Sequence, residues 1–388
     1  MMNIFDSEAW LQLTHKKSRL FISLLSVTLS VVLMFVATAL RDGIFEDAVT
    51  IHKALQADLF IQSDQAENFW ALRAENFSKR VLSQISAIQG VASSRPLYFK
   101  SAGLRNPQTL AKKVILIFAF DPNQSAFNLS EINQQLNVIT QANTYLYDQL
   151  SQSGYGPIIQ NLEDQGSFIT EAADKKIKIA GLFSLGGGIL SANGIMVTSD
   201  LNFSHLFNHP ISQVNIGLVI LETGSDPQEV KQKIAEILPN GLTVLTKEEA
   251  MASEKQYWHT GSPIGFIFNT VAMMSSLFGG VIIYQILFTQ ISEYISVYAT
   301  FKAIGYTNRY LMNTVLQESV MMAVLGFIPG VIICLYLFGF IQNQTRLPMD
   351  MSVARICTIF ILTVITCSLA SIIALVKLKD ADPADLFR

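Results

Sequence analysis

Four groups of residues have types and spacings that suggest chemistry. Gly181-Leu182-Phe183-Ser184-Leu185-Gly186-Gly187-Gly188 sets two glycines at phosphate-loop spacing. Such a loop needs a Lys and then a Ser or Thr to engage phosphates and Mg²⁺. Neither follows, so the stretch reads as a flexible turn after a strand. His205 and His209 can share a helix face, but no metalloprotease Glu lies between them and no third ligand is evident. Glu318 is the one acid close to an apolar run, where an interfacial helix cap or a conformational contact is expected in preference to a proton relay. Cys334, Cys357 and Cys367 all fall in apolar runs and read as small fillers. Cys357 and Cys367 are about 15 Å apart on one predicted helix, too far to bridge. No nucleophile elbow, catalytic carboxylate pair or Cys/His pair is present. The chain is therefore expected to be no enzyme, with no catalytic, metal or cofactor-binding residues and no cofactor of its own.

The elements that carry these residues are set by hydropathy. Residues 20–40 run without a charge, about 220 polar-patterned residues follow, and three more apolar runs cover 264–290, 320–341 and 356–376. A helix of 21 residues is about 31 Å long, enough to cross a hydrocarbon core. The predicted fold class is a membrane α-helical protein of four spans, one plus three, with a large α+β extracytoplasmic domain between the first and second. Ala37-Thr38-Ala39 looks like a signal-peptidase site, yet Ile44, Ala48, Ile51 and Leu55 continue the helical stripe beyond it, so an uncleaved span is expected. With the N-terminus inside, Lys16, Lys17, Arg19, Lys302, Arg309, Lys377, Lys379 and Arg388 are cytoplasmic, against only Arg346 and Arg355 in the short outer loop. Both termini are thus expected inside and the domain outside, which in a Gram-negative cell is the periplasm. Formal charge is −3, so nucleic acid is not an expected partner.

These signals divide the chain into a cytoplasmic or interfacial helix at 1–19, spans at 20–40, 263–290, 311–341 and 356–376, and a domain at 41–262. Residues 291–310 form a cytoplasmic segment, 342–355 an outer loop and 377–388 a cytoplasmic tail. The domain reads as bipartite, with βαβ-like halves at about 57–120 and 211–246 around an inserted subdomain at about 121–210. Strands are predicted at 57–62, 96–103, 214–221 and 242–245, helices at 75–88 and from Asp226 through Leu238, and a hairpin over 166–185. Thr246-Lys247-Glu248-Glu249 is a capping box opening a helix toward Trp258, and Pro263 starts the second span. Two helical stalks would then join domain to membrane.

Small residues recur four apart at Ser275/Gly279, Ser276/Gly280 and Gly326/Gly330, allowing close helix approach within one subunit or across a homodimer. Pro329 is expected to kink the third span. Residues 293–306 are mixed-polar, helical in pattern and ended by Gly305, which suits a C-cap. A bare connector needs only a few residues, so a structured helix here should touch something.

Tyr298-Ala299-Thr300-Phe301-Lys302-Ala303-Ile304-Gly305-Tyr306, with Gln317-Glu318 and Ala323-Val324-Leu325-Gly326-Phe327-Ile328-Pro329-Gly330, resembles the permease signature of the MacB/FtsX/LolC superfamily. Closer still, the chain resembles the DevC-like permeases of cyanobacterial heterocyst glycolipid exporters. Matching blocks include Thr198-Ser199-Asp200-Leu201-Asn202-Phe203, Pro263-Ile264-Gly265-Phe266-Ile267-Phe268 and Ala381-Asp382-Pro383-Ala384-Asp385-Leu386-Phe387. The MacB type fuses an ATPase to the permease, and these residues contain none.

The resemblance implies the permease subunit of a type VII ABC transporter in the bacterial inner membrane, a mechanotransmission exporter. It implies a homodimer, a separate ABC ATPase carrying ATP and Mg²⁺, a periplasmic adaptor (membrane fusion) protein and a TolC-like outer-membrane duct. ATPase coupling would fall on Glu293, Tyr298, Thr300, Phe301, Lys302 and Gly305. The expected task is efflux of a lipid-like or amphiphilic substrate. The alternatives are FtsX-like control of a periplasmic hydrolase and LolC-like lipoprotein extraction.

Overall fold

Strict alternation of apolar side chains builds the central sheet. Ile115, Ile117 and Ala119 belong to one buried cluster, whereas Leu116, Phe118 and Phe120 belong to another. The strand Lys112–Phe120 is therefore covered on both faces. The computed structural model describes residues 17–186, 193–293, 300, 304–345 and 347–379. They form two compact units: residues 44–265, and residues before 44 together with those after 265.

In the sheet unit, α1 (Lys17–Asp47) ends and α2 (Thr50–Ala54) leads into β1 (Leu59–Ser63). After a 3₁₀ turn at Ala71–Arg73 come β2 (Phe77–Ser78), α3 (Arg80–Ile85), β3 (Val91–Arg105) and β4 (Lys112–Phe120). The middle holds α4 (Ser130–Asn133), α5 (Leu136–Ile139), β5 (Thr144–Asp148), α6 (Ile158–Gln165), β6 (Phe168–Ala172), β7 (Lys175–Phe183), β8 (Ile195–Ser199) and α7 (Asp200–Phe207). The last part adds β9 (Gln213–Val214), β10 (Ile216–Leu221), α8 (Pro227–Ile237), β11 (Leu242–Thr246) and α9 (Lys247–Gln256), then a π-helical turn at Tyr257–Gly261. Nine strands make one sheet in the order β11-β1-β10-β3-β4-β8-β5-β7-β6, and β2 pairs β9 separately. The β4–β8 and β5–β7 pairs are parallel; the other pairs are antiparallel.

Three expectations need correction. The helix expected over 75–88 shrinks to α3, because Phe77 pairs with Val214 and Lys79 N–H donates to the Ser212 carbonyl at 2.8 Å. A strand pairing outcompetes helix propensity there. The strand expected over 96–103 is the 15-residue β3, whose first part pairs β10 and whose second part pairs β4. The segment expected as an inserted subdomain does not stand apart: β8 joins β4, so the middle strands extend the same sheet. Within that segment β6 and β7 form the predicted antiparallel hairpin.

Four helices are long and apolar enough to cross a membrane, at Leu20–Asp47, Pro263–Ile286, Met312–Asn343 and Val353–Ile373. They lie within α1, α10 (Pro263–Glu293), α11 (Asn308–Thr345) and α12 (Val353–Lys379). Each helix outruns its expected span, and α11 continues unbroken through Pro329.

Candidate functional site in the helix seams and connecting arms

Within the helical unit, α1 and α11 meet along a seam of small residues. Val27, Val31 and Phe35 are fully buried at four-residue spacing on α1. Opposite them α11 presents Gly326 and Gly330; a Cβ on Gly326 would lie 2.6 Å from Val27 Cγ1, and one on Gly330 2.7 Å from Val31 Cγ1. Only hydrogen fits at either place. Thr28 Oγ1 donates to the Gly326 carbonyl at 3.0 Å, adding a polar tie at the tightest point. A Cβ on Gly279 of α10 would come 2.7 Å from Met34 Cε, and one on Gly280 3.1 Å from Thr366 Cγ2 on α12. Ser275 is buried, and half-buried Ser276 returns its hydroxyl to the Ala272 carbonyl at 3.1 Å. The structure thus sets the four glycines against helices of the same chain.

Glu318 does not cap a helix. It lies inside α11, 5% exposed, and its Oε1 has no hydrogen-bond partner among the described residues. Its neighbour Ser319 meets Ser371 of α12 hydroxyl to hydroxyl. At the other end of the bundle Arg355 pairs with Asp42 at 3.0 Å, and Asp42 also pairs with Arg41 at 2.7 Å.

Of the predicted coupling residues, Tyr298, Phe301 and Lys302 lie outside the described residues. Glu293 ends α10, Thr300 is exposed, and Gly305 has φ +108°, the left-handed conformation a C-capping glycine supplies.

Two helical arms connect the sheet to the long helices. Ile44, Ala48, Ile51 and Leu55 are buried along the first. The second opens with a complete capping box: Glu249 N–H donates to Thr246 Oγ1 at 3.2 Å, and Thr246 N–H to Glu249 Oε2 at 2.8 Å. Cross-ties fasten the arms. Lys53 pairs with Glu46 at 2.8 Å, Lys255 with the same carboxylate, and Lys247 Nζ donates to the Leu55 carbonyl at 2.8 Å.

At this junction His52 is packed edge-on against Phe69 and Phe60, at 4.9 and 5.7 Å. Burial, with nearby Lys247, pushes its imidazole down to about 4 from an ordinary 6.5. Glu254 is also buried; it accepts Phe69 N–H at 2.8 Å and Trp258 Nε1–H at 2.7 Å, and burial raises its carboxyl. Between pH 6.5 and 4 the unfolded chain binds a proton that folded His52 refuses, so the His52 contribution to stability falls as pH drops through this window. The loss reaches about 2 kcal/mol at pH 5. Glu254 carries the opposite slope, losing stability as pH rises above its ordinary range, so the comparison must be between variants. His52→Leu is expected to flatten the acid limb of stability between pH 7 and 5, measured by thermal unfolding of the full chain in detergent. Parallel curves for His52→Leu and wild type would refute the assignment.

The apparent phosphate loop is built against phosphate. Gly181 lies within β7, and the amides that follow are already bound by carboxylates: Ser184 N–H by Glu131, and Leu185 and Gly186 N–H by Asp148 at 3.1 and 3.0 Å. Gly187 and Gly188 lie outside the described residues. His205 is exposed, while His209 Nε2 contacts the Gln213 carbonyl at 2.9 Å. Among the described residues no three His, Cys, Asp or Glu side chains gather as metal ligands.

Two buried asparagines escaped the sequence reading. Asn215 accepts Phe99 N–H at 2.9 Å and donates to the Leu72 and Glu75 carbonyls at 3.1 and 3.0 Å, pinning the 3₁₀ turn to β3. Asn202 does the same for the loop before β5, accepting Asn143 N–H at 2.9 Å and donating to the Ile139 and Gln141 carbonyls, each at 2.9 Å. For Asn215 the signal available was a polar residue at the head of the apolar run Ile216–Leu221; Asn202 sits among other polar residues, within a block read only as part of a family resemblance.

The chain is similar in structure to the periplasmic region of MacB from Actinobacillus actinomycetemcomitans, at 10% identity and a TM-score of 0.34, covering 51% of this chain and 92% of that one. It is similar also to the extracellular domain of the noncanonic ABC-type transporter YknZ from Gram-positive bacteria (13%, TM-score 0.32, 49% and 99%). A third likeness is to a domain of a putative permease protein from Porphyromonas gingivalis (13%, TM-score 0.33, 50% and 89%). No curated protein matches. Residues 269–383, which include the whole α10–α11 connection and the Gly326/Gly330 seam, match the family of FtsX-like permease C-terminal domains. Residues 269–383 therefore carry the match to an FtsX-like permease C-terminal domain, in a chain with four helices long and apolar enough to cross a membrane.

Proposed function

We propose that this chain is the permease subunit of an ABC-type transporter of the MacB/FtsX/LolC superfamily, a DevC-like mechanotransmission subunit of the bacterial inner membrane, acting as a homodimer with its sheet unit in the periplasm. A separate ABC ATPase hydrolyses ATP, the motion passes along the two arms, and a lipid-like or amphiphilic substrate leaves through an adaptor and a TolC-like duct. The observation that carries this reading is the pair of arms. Both enter the sheet on adjacent strands, β1 and β11, and both are cross-tied by Glu46 and Lys247. A domain set between two spans has two chain connections in any case, but one that only displayed a binding surface would need no ties between them.

The ATPase contact is assigned to residues 293–306. Exposed charges contribute roughly 0–1 kcal/mol each, so reversing Glu293 and Lys302 is expected to weaken coupling modestly. An aromatic anchor at an interface commonly contributes about 2 kcal/mol or more, so Tyr298→Ala with Phe301→Ala is expected to abolish most ATPase co-purification and export. Insertion in the membrane should persist in both variants. Full ATPase binding and full export by the aromatic double variant would show that this segment is not the coupling element. Normal ATPase binding by the wild type with a cell-wall hydrolase or lipoproteins captured in place of lipid would replace export by signalling or extraction.

A further inference from the structure

Where the two arms meet the sheet, the sheet unit holds a small polar cavity of about 20 Å³. One water needs roughly 10–15 Å³ of such space, so there is room for one molecule and for nothing larger. Its walls come from three parts of the chain. His52 belongs to α2 in the first arm, Asn68 to the loop before the 3₁₀ turn, and Ser253 and Glu254 to α9 in the second arm. A single occupant would therefore touch both arms at once.

One wall has an unmet need. His52 is 4% exposed, and its Nδ1 is buried without a hydrogen-bond partner among the described residues. Phe69 and Phe60 hold the ring from two sides, at 4.9 and 5.7 Å, so it cannot swing out to solvent. The neighbouring wall has capacity to spare. Glu254 accepts one N–H at each oxygen, from Phe69 and from Trp258. A carboxylate oxygen has two lone pairs, so each can accept again. A buried nitrogen left unpaired costs more than holding one water in place, provided the water finds two to four polar partners. These walls supply them.

We propose that this cavity binds one structural water, which joins His52 Nδ1 on the first arm to the Glu254 carboxylate on the second. A metal ion fits the site less well, because no three metal-ligating side chains gather there among the described residues. The nearby Lys247 ammonium, which already opposes charge on His52, opposes a cation in the cavity too. The bridge differs in kind from the ties through Glu46 and Lys247, which are direct and charged. It stands on the sheet unit alone and does not rest on the export reading.

The experiment is solid-state NMR of the full chain in phosphatidylcholine bilayers at neutral pH, with ¹⁵N-histidine and ¹³C-phenylalanine labels. The His52 ring is identified among the five histidines by its dipolar contact with the Phe69 and Phe60 rings. Polarisation is then passed from water protons to nitrogen, and a cross-peak from water to His52 Nδ1 is expected. Hydrogen exchange tests the other end of the bridge. His52→Phe and Glu254→Gln are each expected to quicken amide exchange in α2 and α9 roughly tenfold. Because both remove the same bridge, the double variant should exceed the faster single by no more than roughly threefold. The NMR measurement needs no variant, so it decides the site even if a substitution prevents folding. No water cross-peak at His52 Nδ1, or a direct bond from Nδ1 to a protein group, overturns the site. A cross-peak accompanied by fully multiplicative exchange effects overturns the bridge to Glu254.

Discussion

Replacing Asn202 by alanine is expected to cost the sheet unit roughly 3–5 kcal/mol, a large share of the roughly 5–15 kcal/mol that holds a domain folded. The residue is 6% exposed, and its side chain serves Asn143 N–H and the carbonyls of Ile139 and Gln141. The Thr144 carbonyl, 3.3 Å away, keeps a second donor in Thr198 Oγ1. Alanine fills none of these roles: it leaves the Ile139 carbonyl unpaired in the interior and the Asn143 N–H and Gln141 carbonyl unpaired at its edge. Each buried group left unpaired costs about 1–3 kcal/mol. Asn202→Asp retains the acceptor and brings an unpaired charge, so it should be no better. The measurement is amide hydrogen exchange of β5 and β8 in the full chain, which should quicken by two orders of magnitude or more, roughly. Exchange within a factor of about 5 of wild type would show that the loop holds its shape without the asparagine.

The second large effect lies in the helical unit. Gly326→Leu is expected to abolish correct assembly, because even a Cβ at this position meets Val27 Cγ1 at 2.6 Å and Val27 Cβ at 2.7 Å. Overpacking a seam costs about 1–3 kcal/mol when neighbours can shift. Here the neighbour is the stem of a β-branched side chain on a buried helix face, and it cannot swing away. Gly326→Ala should therefore lower the yield of folded protein, and adding Val27→Ala should restore much of it. That rescue is the informative part, since independent damage would add rather than cancel. Thermal stability in detergent of the two single variants and the double variant supplies the cycle. Strictly additive losses would mean that the two helices do not touch at this point in the folded protein.

How much of this was legible beforehand differed by element. Hydropathy located all four long helices, because about 20 apolar residues in succession have few other uses. The capping box at Thr246 and the hairpin at β6–β7 were legible for the same reason: their signals are local and chemically specific. The length of β3 was not, because residues 91–95 carry Ser93, Ser94 and Arg95 and owe their extended form to β10, which lies more than a hundred residues away in the chain. Helix propensity over 75–88 misled for a similar reason, since the competing pair Phe77–Val214 is also non-local. Gly279, Gly280, Gly326 and Gly330 announced close approach, but spacing alone does not say which surface approaches.

The register of β1 against β11 bears on how the sheet carries load. Leu59 stands opposite Thr246, and the pairing ends at Ser63 opposite Leu242. Both arms therefore reach the sheet at the same end of this ladder. A force that parts them acts in peel, loading the Leu59–Thr246 bonds before the next pair feels it, since the bonds run across the strands. The amide of Lys247, donating to the Asp58 carbonyl at 3.0 Å, and the Glu46 ion pairs sit where such a split would begin. A force that draws both arms together along the strand loads the β1–β10 ladder in shear instead, sharing its strain among Leu59–Val219, Phe60–Leu218 and Ile61–Gly217 at once. The sheet thus yields more readily to being unzipped by its arms than to being towed by them, and a stroke that moves both arms as one arrives at β10 and β3 as displacement rather than as damage.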